Sequence, residues 1–225
     1  MLRAGFRSLS SSCSRGGYGP RRRSFCTLPG YSDALLHVSA LRDMLGRDSV
    51  QTSEIDKYTR DWTGHYSGGS VVAFPSSVEE VSNVMKYCHA NQVGVVVQGG
   101  NTGLVGGAVG LDNELIISTA KMNTIYEVDE TAGVLICDAG VILEEANNHV
   151  QEHGFMMPID LGAKASCMIG GNVSTNAGGL RVIKYGSFHA NVVGLECVLA
   201  DGTVMDMLRT VQKDNCGYHL KVKSI

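Results

Sequence analysis

A β-branched run leads directly into a glycine-rich loop in the stretch Val93-Gly-Val-Val-Val-Gln98-Gly-Gly-Asn-Thr-Gly103. The apolar residues 93–97 predict a buried strand. Upstream, Ser77-Val-Glu-Glu80 is a capping box that opens a helix, and Ser70–Phe74 before it reads as a short strand that ends at Pro75. Strand, helix and strand in this order predict a right-handed βαβ unit.

The segments around this unit predict further helices and strands in a mixed order. Helical spacing of apolar residues, with a glycine as the stop, marks Ala34–Leu45 and Val141–His153. Strands are predicted at Glu114–Ser118, Thr124–Val128 and Val134–Cys137, and a hairpin at Val192–Leu199 and Thr203–Met207, with a type I′ turn over Asp201-Gly202. The fold class that follows is α+β, with more than one sheet and helices packed outside.

Composition and charge narrow the class of protein. The chain has 225 residues, with 28 glycines and only 4 prolines. This excess of glycine indicates many tight turns or backbone that approaches a ligand closely. A formal net charge of −3 argues against a nucleic-acid binder. No apolar run reaches the roughly 18 residues that a membrane-spanning helix needs, so no such helix is predicted.

The first 30 residues differ from the rest of the chain. They hold six arginines, six serines and no acidic residue, so the remainder has 13 basic residues against 22 acidic ones. An Arg-rich, Ser-rich and acid-free leader is typical of a mitochondrial transit peptide, which predicts a mitochondrial matrix protein with residues 1–30 removed. A basic tail that binds nucleic acid or membrane is the alternative.

Cysteine and histidine patterns indicate no metal site. The seven cysteines are widely spaced, without a Cys-x-x-Cys pair, which fits neither a disulfide scaffold nor a zinc ribbon. Cys88 and Cys137 lie in apolar periodic segments and are predicted core thiols. His149-Val-Gln-Glu-His153 matches a zinc-peptidase pattern, but the predicted helix is short and no clear third ligand follows.

Two glycine-rich segments are the candidate ligand-binding elements of this sequence. The first is Gln98–Gly107, and the second is Gly170-Gly-Asn-Val-Ser-Thr-Asn-Ala-Gly-Gly179. Neither has the lysine of a P-loop or the GxGxxG spacing of a Rossmann fold. Consecutive glycines can turn several backbone N–H groups toward one anion, so two such loops could hold the diphosphate of an extended dinucleotide. The alternative is that these glycines only build turns.

These motifs resemble a known family. The order Val72-Ala-Phe-Pro75, capped helix, strand, Gln98–Gly103 and Gly170–Gly179 resembles the FAD-binding domain of the vanillyl-alcohol-oxidase/p-cresol-methylhydroxylase (PCMH) superfamily. Within it, residues 45–221 resemble the mitochondrial D-2-hydroxyglutarate dehydrogenases, through Met157-Pro-Ile-Asp-Leu-Gly-Ala-Lys164, Ile169–Val173, Thr175–Arg181, Tyr185-Gly186, Leu199-Ala-Asp-Gly-Thr203 and Lys213-Asp-Asn215.

The resemblance implies a domain organisation. Residues 31–66 would be a helical lead-in, and residues 67–221 a PCMH-type FAD-binding domain made of two packed α/β subdomains. This domain would be incomplete at its C-terminus, with residues 222–225 as a truncated tail. The chain is therefore expected to be the N-terminal part of a larger flavoenzyme, whose catalytic residues and zinc site lie in a missing substrate domain.

The resemblance also implies cofactor contacts, with FAD held non-covalently. The first loop has Asn101 where some relatives attach FAD through a histidine. Residues 98–103 would wrap the diphosphate, and other groups would line the adenine, flavin and ribityl parts of the groove. The full implied set is Pro75, Gln98, Gly99, Gly100, Asn101, Thr102, Gly103, Ser166, Gly170, Gly171, Asn172, Asn176, Gly178, Gly179, Tyr185 and Gly186.

The implied reaction is the FAD-dependent oxidation of D-2-hydroxyglutarate to 2-oxoglutarate. Electrons would pass to electron-transfer flavoprotein as the partner. Two alternatives stay open: a non-catalytic truncated product that binds FAD, and a related D-2-hydroxy-acid dehydrogenase such as a D-lactate dehydrogenase. Arg181, which follows the second glycine segment, is either a contact to the cofactor or an ordinary surface charge.

Overall fold

The computed structural model describes residues 31–110 and 112–208. Its helices are α1 (Val38–Leu45), α2 (Asp56–Thr59), α3 (Val78–Ala90), α4 (Leu143–Glu152), α5 (Ile169–Ser174), α6 (Val182–Tyr185) and α7 (Phe188–Asn191). Its strands are β1 (Val50–Gln51), β2 (Val71–Ala73), β3 (Val95–Gln98), β4 (Leu115–Ser118), β5 (Ile125–Asp129), β6 (Val134–Cys137), β7 (Leu195–Val198) and β8 (Val204–Met207). The predicted leader (1–30), the motif Lys213–Asn215 and the predicted tail (222–225) lie outside the described residues.

The first subdomain is a four-stranded sheet in the order β1-β2-β4-β3. Strands β2 and β3 both run parallel to β4, which lies between them, and β1 is antiparallel to β2. The predicted strand–helix–strand unit is present, but the expectation of a buried strand at 93–97 was wrong. Because β4 takes the central place, β3 is an edge strand, and Val97 is 60% exposed.

Helix α3 starts where the capping box predicted it. The Ser77 hydroxyl accepts from the Glu80 N–H at 3.2 Å. The Glu80 carboxylate returns to the N–H of Ser76 at 2.6 Å, one residue earlier than in the usual box. The apolar face of α3 places Val84 and Cys88 in the core beside the sheet. The helix thereby covers one face of the strands whose ends carry the first glycine loop.

Residues 31–66 belong to this same core. Ala34, Leu41 and Val50 are buried together with Leu115 and Ile117 of the central strand. The segment predicted as a helical lead-in thus also supplies the strand β1 to the sheet. None of the helices between residues 31 and 208 that the structure describes is long and apolar enough to span a bilayer.

The second subdomain has its own core. It contains two antiparallel hairpins, β5–β6 and β7–β8, with α4, α5 and α7 beside them. Its buried residues include Val141, Ala146, Val150, Ile159 and Val173. The mixed helices and strands, with hydrophobic clusters on both faces of the first sheet and a separate core in the second subdomain, confirm the α+β fold of two packed subdomains.

The turn of the β7–β8 hairpin differs from the predicted type I′. Gly202 has φ +82°, but Asp201 is not among the described residues with positive φ, and a type I′ turn needs both. The turn packs against α3, where the Ser82 hydroxyl donates to the Gly202 carbonyl at 2.6 Å and a Cβ at position 202 would overlap the Lys86 side chain. This contact joins the two subdomains, and it explains why glycine occupies the position.

Burial controls the chemistry of the described cysteines. Cys88 is 2% exposed, and burial raises the pKa of its thiol to about 11. Burial, together with the charge of Asp138, raises the pKa of Cys137 to about 11 as well. The core position predicted for Cys88 is confirmed, whereas Cys137 is only partly buried.

We expect Cys88 and Cys137 to resist iodoacetamide in the folded chain at neutral pH, because the thiolate is the reacting form and raised pKa values leave little of it. Modification should rise only as the pH approaches these values, or after unfolding. Peptide mass spectrometry after timed alkylation, with the chain in denaturant as control, measures this. Equal rates in the folded and the denatured chain would contradict the expectation.

Candidate functional site

The two glycine segments meet at one edge of the first sheet. Strands β2, β3 and β4 are parallel, so their carboxyl ends lie at the same edge, and the first glycine loop follows β3 directly. In open sheets of this kind, ligands bind in the crevice outside the carboxyl ends of the strands. The chain before α5 approaches this edge and brings the second segment to the first.

At Gly100 the first loop meets the chain just before the second segment, and at Gly99 it meets the second segment itself, where a Cβ would lie 3.9 Å from the Gly171 nitrogen. A Cβ at Gly100 would overlap the carbonyl oxygen of Ser166 and lie 3.1 Å from the Cα of Cys167. A Cβ at Gly99 would lie 3.4 Å from the Cβ of Met168. Only glycine at position 100 lets the loop backbone touch the backbone at Ser166 and Cys167.

The second segment is not the loop that the sequence predicted. Gly170 and Gly171 lie in the first turn of the short helix α5. Gly170 packs against the loop after β6, since its Cβ would lie 2.7 Å from the Cβ of Ala139. Gly171 faces open space instead. Gly170 therefore packs against the protein, whereas the next residue, Gly171, faces outward.

Two amide side chains hold the first loop in place. The Gln98 side chain, 1% exposed, donates through Nε2 to the carbonyls of Tyr58 (2.8 Å) and Ala108 (2.6 Å). Asn101, in the left-handed region at φ +52°, donates through Nδ2 to the Arg60 carbonyl at 2.8 Å. Both side chains tie the loop to the segment around α2, and their contact with a cofactor stays a prediction.

Two further amides predicted at the site are engaged inside the protein. Asn172 is buried, and its Nδ2 donates to the Sγ of Cys167 at 3.5 Å. Asn176, at φ +49°, accepts from the His189 N–H at 3.0 Å. These side chains shape the second segment, and any contact of theirs with a cofactor stays a prediction.

The outer members of the predicted set lie apart from the junction at Gly100. The Tyr185 hydroxyl donates to the Met156 sulfur at 3.7 Å, and Gly186 has φ +77° with open space around it. Pro75 follows β2 and is fully buried, so its side chain faces the core rather than the crevice. The structure places Pro75 at the same sheet edge as the first loop, and its contact with FAD stays a prediction.

The site offers neutral donors to an anion. The amides of residues 100–103 take part in no backbone hydrogen bond assigned outside the helices and strands of the described chain. Four consecutive amides of this kind suit the oxygens of a diphosphate. Gln98 Oε1 and Asn101 Oδ1 are also buried without a donor among the described residues, and a nucleotide carries hydroxyl and amino donors. The residues present therefore fit a dinucleotide.

Six of the eight predicted glycines fall into two classes, while Gly99 packs beside Met168 and Gly186 has a positive φ. Gly100, Gly170 and Gly179 are needed by the fold, because a Cβ at each would strike Ser166, Ala139 or Asp160. A second class has open space within 4 Å and no positive φ: Gly103, Gly171 and Gly178. Nothing in the described protein requires glycine at these three positions, and the same holds for Gly107 and Gly162 outside the predicted set, so the open space permits a closely approaching ligand without requiring one.

Charged groups near the segments are already paired. Arg181 donates to the Met157 carbonyl at 2.6 Å and lies 3.9 Å from the Asp160 carboxylate. This favours its interpretation as a structural charge. Asp61, 5% exposed, accepts from the Tyr66 N–H at 2.9 Å, and the hydrogen bond from the Thr63 hydroxyl is the main cause that lowers its pKa.

The two histidines that match the zinc-peptidase pattern lie near each other, and one of them contacts a glutamate. His153 Nδ1 lies 2.7 Å from Glu130 Oε1, and the ring of His149 is 5.4 Å from that of His153. Between residues 31 and 208, apart from residue 111, no group of three His, Cys, Asp or Glu side chains could hold a metal ion. The contact between His153 and Glu130 joins the end of α4 to the β5–β6 turn at the surface.

Sequence reasoning missed two residues that help form the junction. Met168 accepts from the Thr119 hydroxyl at 3.5 Å and packs beside Gly99. Gly140 lies so close to the Thr119 carbonyl that a Cβ would overlap it. The glycine directly after β6 was a usable signal for this contact, whereas Met168 follows no pattern that would distinguish it.

We expect Gln98→Glu to lower the free energy of unfolding by about 1–3 kcal/mol, because the new carboxylate would face two carbonyl oxygens where the amide donated. FAD affinity should fall with it, since the loop loses its anchor. Urea unfolding and flavin titration measure the two effects. The same exchange at the exposed Gln51 is the control, and equal effects at both positions would contradict the expectation.

Comparison with known proteins agrees with this geometry. Residues 69–208 match the protein family described as an FAD binding domain. The chain is 52% identical over 187 residues to a probable mitochondrial D-2-hydroxyglutarate dehydrogenase of Oryza sativa, which covers 82% of this chain and 34% of the relative. It is 49% identical over 177 residues to the mitochondrial D-2-hydroxyglutarate dehydrogenase of Bos taurus, with coverages of 78% and 32%.

Solved structures share the fold. An alkyldihydroxyacetonephosphate synthase matches with a TM-score of 0.73 at 19% identity, over 86% of this chain and 38% of that one. A p-cresol methylhydroxylase with substrate bound matches with a TM-score of 0.64 at 22% identity, over 78% and 36%. The chain spans about a third of the length of the curated relatives it matches. This chain therefore belongs to the FAD-binding domain family, with the PCMH-type fold, and is similar to the mitochondrial D-2-hydroxyglutarate dehydrogenases.

Proposed function

We propose that this chain is the FAD-binding part of an enzyme that oxidises D-2-hydroxyglutarate to 2-oxoglutarate. The observation that carries the proposal is the identity of 49–52% to relatives named for this substrate, across a region that contains both glycine segments. The junction at Gly100, which only glycine permits, supports the nucleotide part of the proposal.

The residues of this chain would bind and orient the cofactor. FAD, when bound, supplies the chemistry by accepting a hydride from the carbon that bears the substrate hydroxyl. The amides of residues 100–103 would hold the diphosphate without a formal positive charge, and Gln98 and Asn101 would keep that loop in position. The loop contains neither histidine nor cysteine, which supports non-covalent binding.

The proposed setting is the mitochondrial matrix. The relatives from Oryza sativa and Bos taurus are named mitochondrial, and residues 1–30 have the composition of a transit peptide. Electron-transfer flavoprotein is the proposed acceptor of the electrons. Import assays with the full chain, and reduction assays with that acceptor, test the two parts separately.

One relative supports D-lactate as a second candidate substrate. The chain is 43% identical over 194 residues to a putative mitochondrial D-lactate dehydrogenase of Schizosaccharomyces pombe. Dye reduction by the full-length protein with D-2-hydroxyglutarate and with D-lactate distinguishes the two substrates. A third possibility is that this chain binds FAD without turnover. A yellow preparation that releases flavin in acid but reduces no dye with either acid would support that one.

Gly171→Ala separates binding from folding. Because Gly171 lies in α5 with open space around it, alanine should raise the free energy of unfolding by about 0.5–1 kcal/mol. FAD affinity should fall by about tenfold, equivalent to about 1.4 kcal/mol, if the cofactor approaches this backbone. Flavin fluorescence titration and urea unfolding measure the two.

Gly162→Ala is the matched control, since Gly162 also has open space but lies outside the proposed site. It should leave FAD affinity unchanged. A Gly171→Ala chain that binds FAD as tightly as the parent chain would remove α5 from the site. A folded parent chain with no affinity for FAD would overturn the proposed function as a whole.

A further inference from the structure

Residues 58–66, called here the bracket segment, hold the first glycine loop from outside the matched domain. The match to the FAD binding domain family begins only afterwards and covers residues 69–208. Two backbone carbonyls of the bracket segment, those of Tyr58 and Arg60, nevertheless accept hydrogen bonds from amide side chains of the loop, each at 2.8 Å. The start of the loop is therefore fixed by a part of the chain that the family match does not include.

The other end of the bracket segment contacts the same loop through an aromatic ring. Gly106 has φ +72°, and a Cβ at this position would lie 2.5–3.0 Å from three atoms of the Tyr66 ring. The ring therefore packs directly on the loop backbone. The amides of residues 100–103, which are proposed to hold the diphosphate, lie between this contact and the anchored start of the loop.

The carboxylate of Asp61 closes the turn that carries this ring. It accepts hydrogen bonds from the N–H groups of Tyr66 at 2.9 Å and Thr63 at 3.2 Å, and from the Thr63 hydroxyl. The Asp61 N–H in turn donates to the Tyr66 carbonyl at 3.0 Å. A carboxylate that is only 5% exposed needs such donors, and the turn itself supplies them.

Apolar burial does not explain how this turn keeps its shape. Residues 62–67 are all exposed, and Trp62 among them is 69% exposed. Asp61 is the buried residue of the turn, and hydrogen bonds to a charged acceptor are among the stronger ones in proteins. The closed form of the turn, and with it the place of the Tyr66 ring, therefore depends on the Asp61 carboxylate.

We propose that Asp61 is a positioning residue of the cofactor site. By holding its turn closed, the carboxylate keeps the Tyr66 ring on Gly106 and thereby keeps the amides of residues 100–103 in the arrangement that binds a diphosphate. The cofactor site then includes the bracket segment, upstream of the matched domain. This inference rests on the proposed function, because the ligand that the loop receives is FAD.

Asp61→Asn in the full chain tests this role, because the amide has the size of the carboxylate but replaces one acceptor oxygen by an NH2 group that faces N–H donors. FAD affinity should fall at least about tenfold. Trp62, the one tryptophan of the chain, gives a second measurement that needs no FAD. Its fluorescence anisotropy should fall as the turn opens. Asp43→Asn, the same exchange at an exposed position of α1, should change neither quantity.

Hydrogen exchange of the β4 amides shows whether the variant chain is still folded. In a folded Asp61→Asn chain, either unchanged FAD affinity or unchanged Trp62 anisotropy would overturn the proposal. A parent chain that binds no FAD would instead overturn the proposed function, so the two failures are distinguishable.

A pair of variants at Tyr66 decides the matter if Asp61→Asn unfolds the chain. Tyr66 is 40% exposed, so its substitution should leave β4 protected. Tyr66→Ala removes the ring from Gly106 and should weaken FAD binding about tenfold, whereas Tyr66→Phe keeps the ring and should stay within about twofold of the parent chain. Equal FAD affinities of the two variants would overturn the proposal.

Discussion

Gly100→Ala should lower the free energy of unfolding by about 1–3 kcal/mol and weaken FAD binding by more than about tenfold. The methyl group would overlap the carbonyl oxygen of Ser166 and crowd the Cα of Cys167. Both are backbone atoms, so neither can move aside as a flexible side chain would. The first loop must therefore move away from Ser166 and Cys167, and with them from the start of the second segment, which disturbs the proposed cofactor site. Urea unfolding and flavin titration measure the two effects.

Gly107→Ala is the control within the same loop. Gly107 is exposed, has no neighbour within 4 Å, has no positive φ and lies outside the proposed contacts. Its substitution should change stability by less than about 0.5 kcal/mol, as for ordinary surface positions. If Gly100→Ala behaved like Gly107→Ala, the close approach of the first loop to Ser166 and Cys167 would not exist in solution.

Leu115→Ala should cost about 2–5 kcal/mol of unfolding free energy, through the lost transfer free energy and the cavity left behind. Leu115 is fully buried in the central strand β4, which pairs with β2 on one side and β3 on the other. The core around it also contains Leu41 of the N-terminal segment. A loss of this size is a large fraction of the total stability of a typical domain.

Leu180→Ala is the matched control for Leu115→Ala. The same atoms are removed, but Leu180 is 84% exposed, so little burial is lost. We expect a change of less than about 0.5 kcal/mol in urea unfolding. Similar losses for the two leucines would contradict the position of β4 at the centre of the core.

Local patterns predicted most of the elements. The capping box located the start of α3, because the hydrogen bond between Ser77 and Glu80 depends on residues only three apart. Gly154 marked the end of α4 for a similar reason, since its φ of +81° is a property of that position. The glycine segments themselves, and the expectation that they meet, were also readable from residue types.

Errors arose where distant parts of the chain decide the outcome. The position of β3 at an edge depends on β4 inserting beside β2, and no pattern within 93–97 reports that. The turn at Asp201-Gly202 follows from its contact with α3, which lies more than 100 residues earlier. Likewise, Gln98 and Asn101 anchor the first loop because α2 happens to offer carbonyl groups there.

Residue types along the chain were sufficient to predict an α+β fold and to locate two glycine segments as candidates for nucleotide binding, because turn preference and apolar periodicity act over a few residues. Strand order and the side-chain partners of the site required the folded molecule. So did the division of the glycines into those that the backbone needs and those with open space around them. These depend on which surfaces pack together, and the packing partners of a given residue are not specified by its neighbours along the chain.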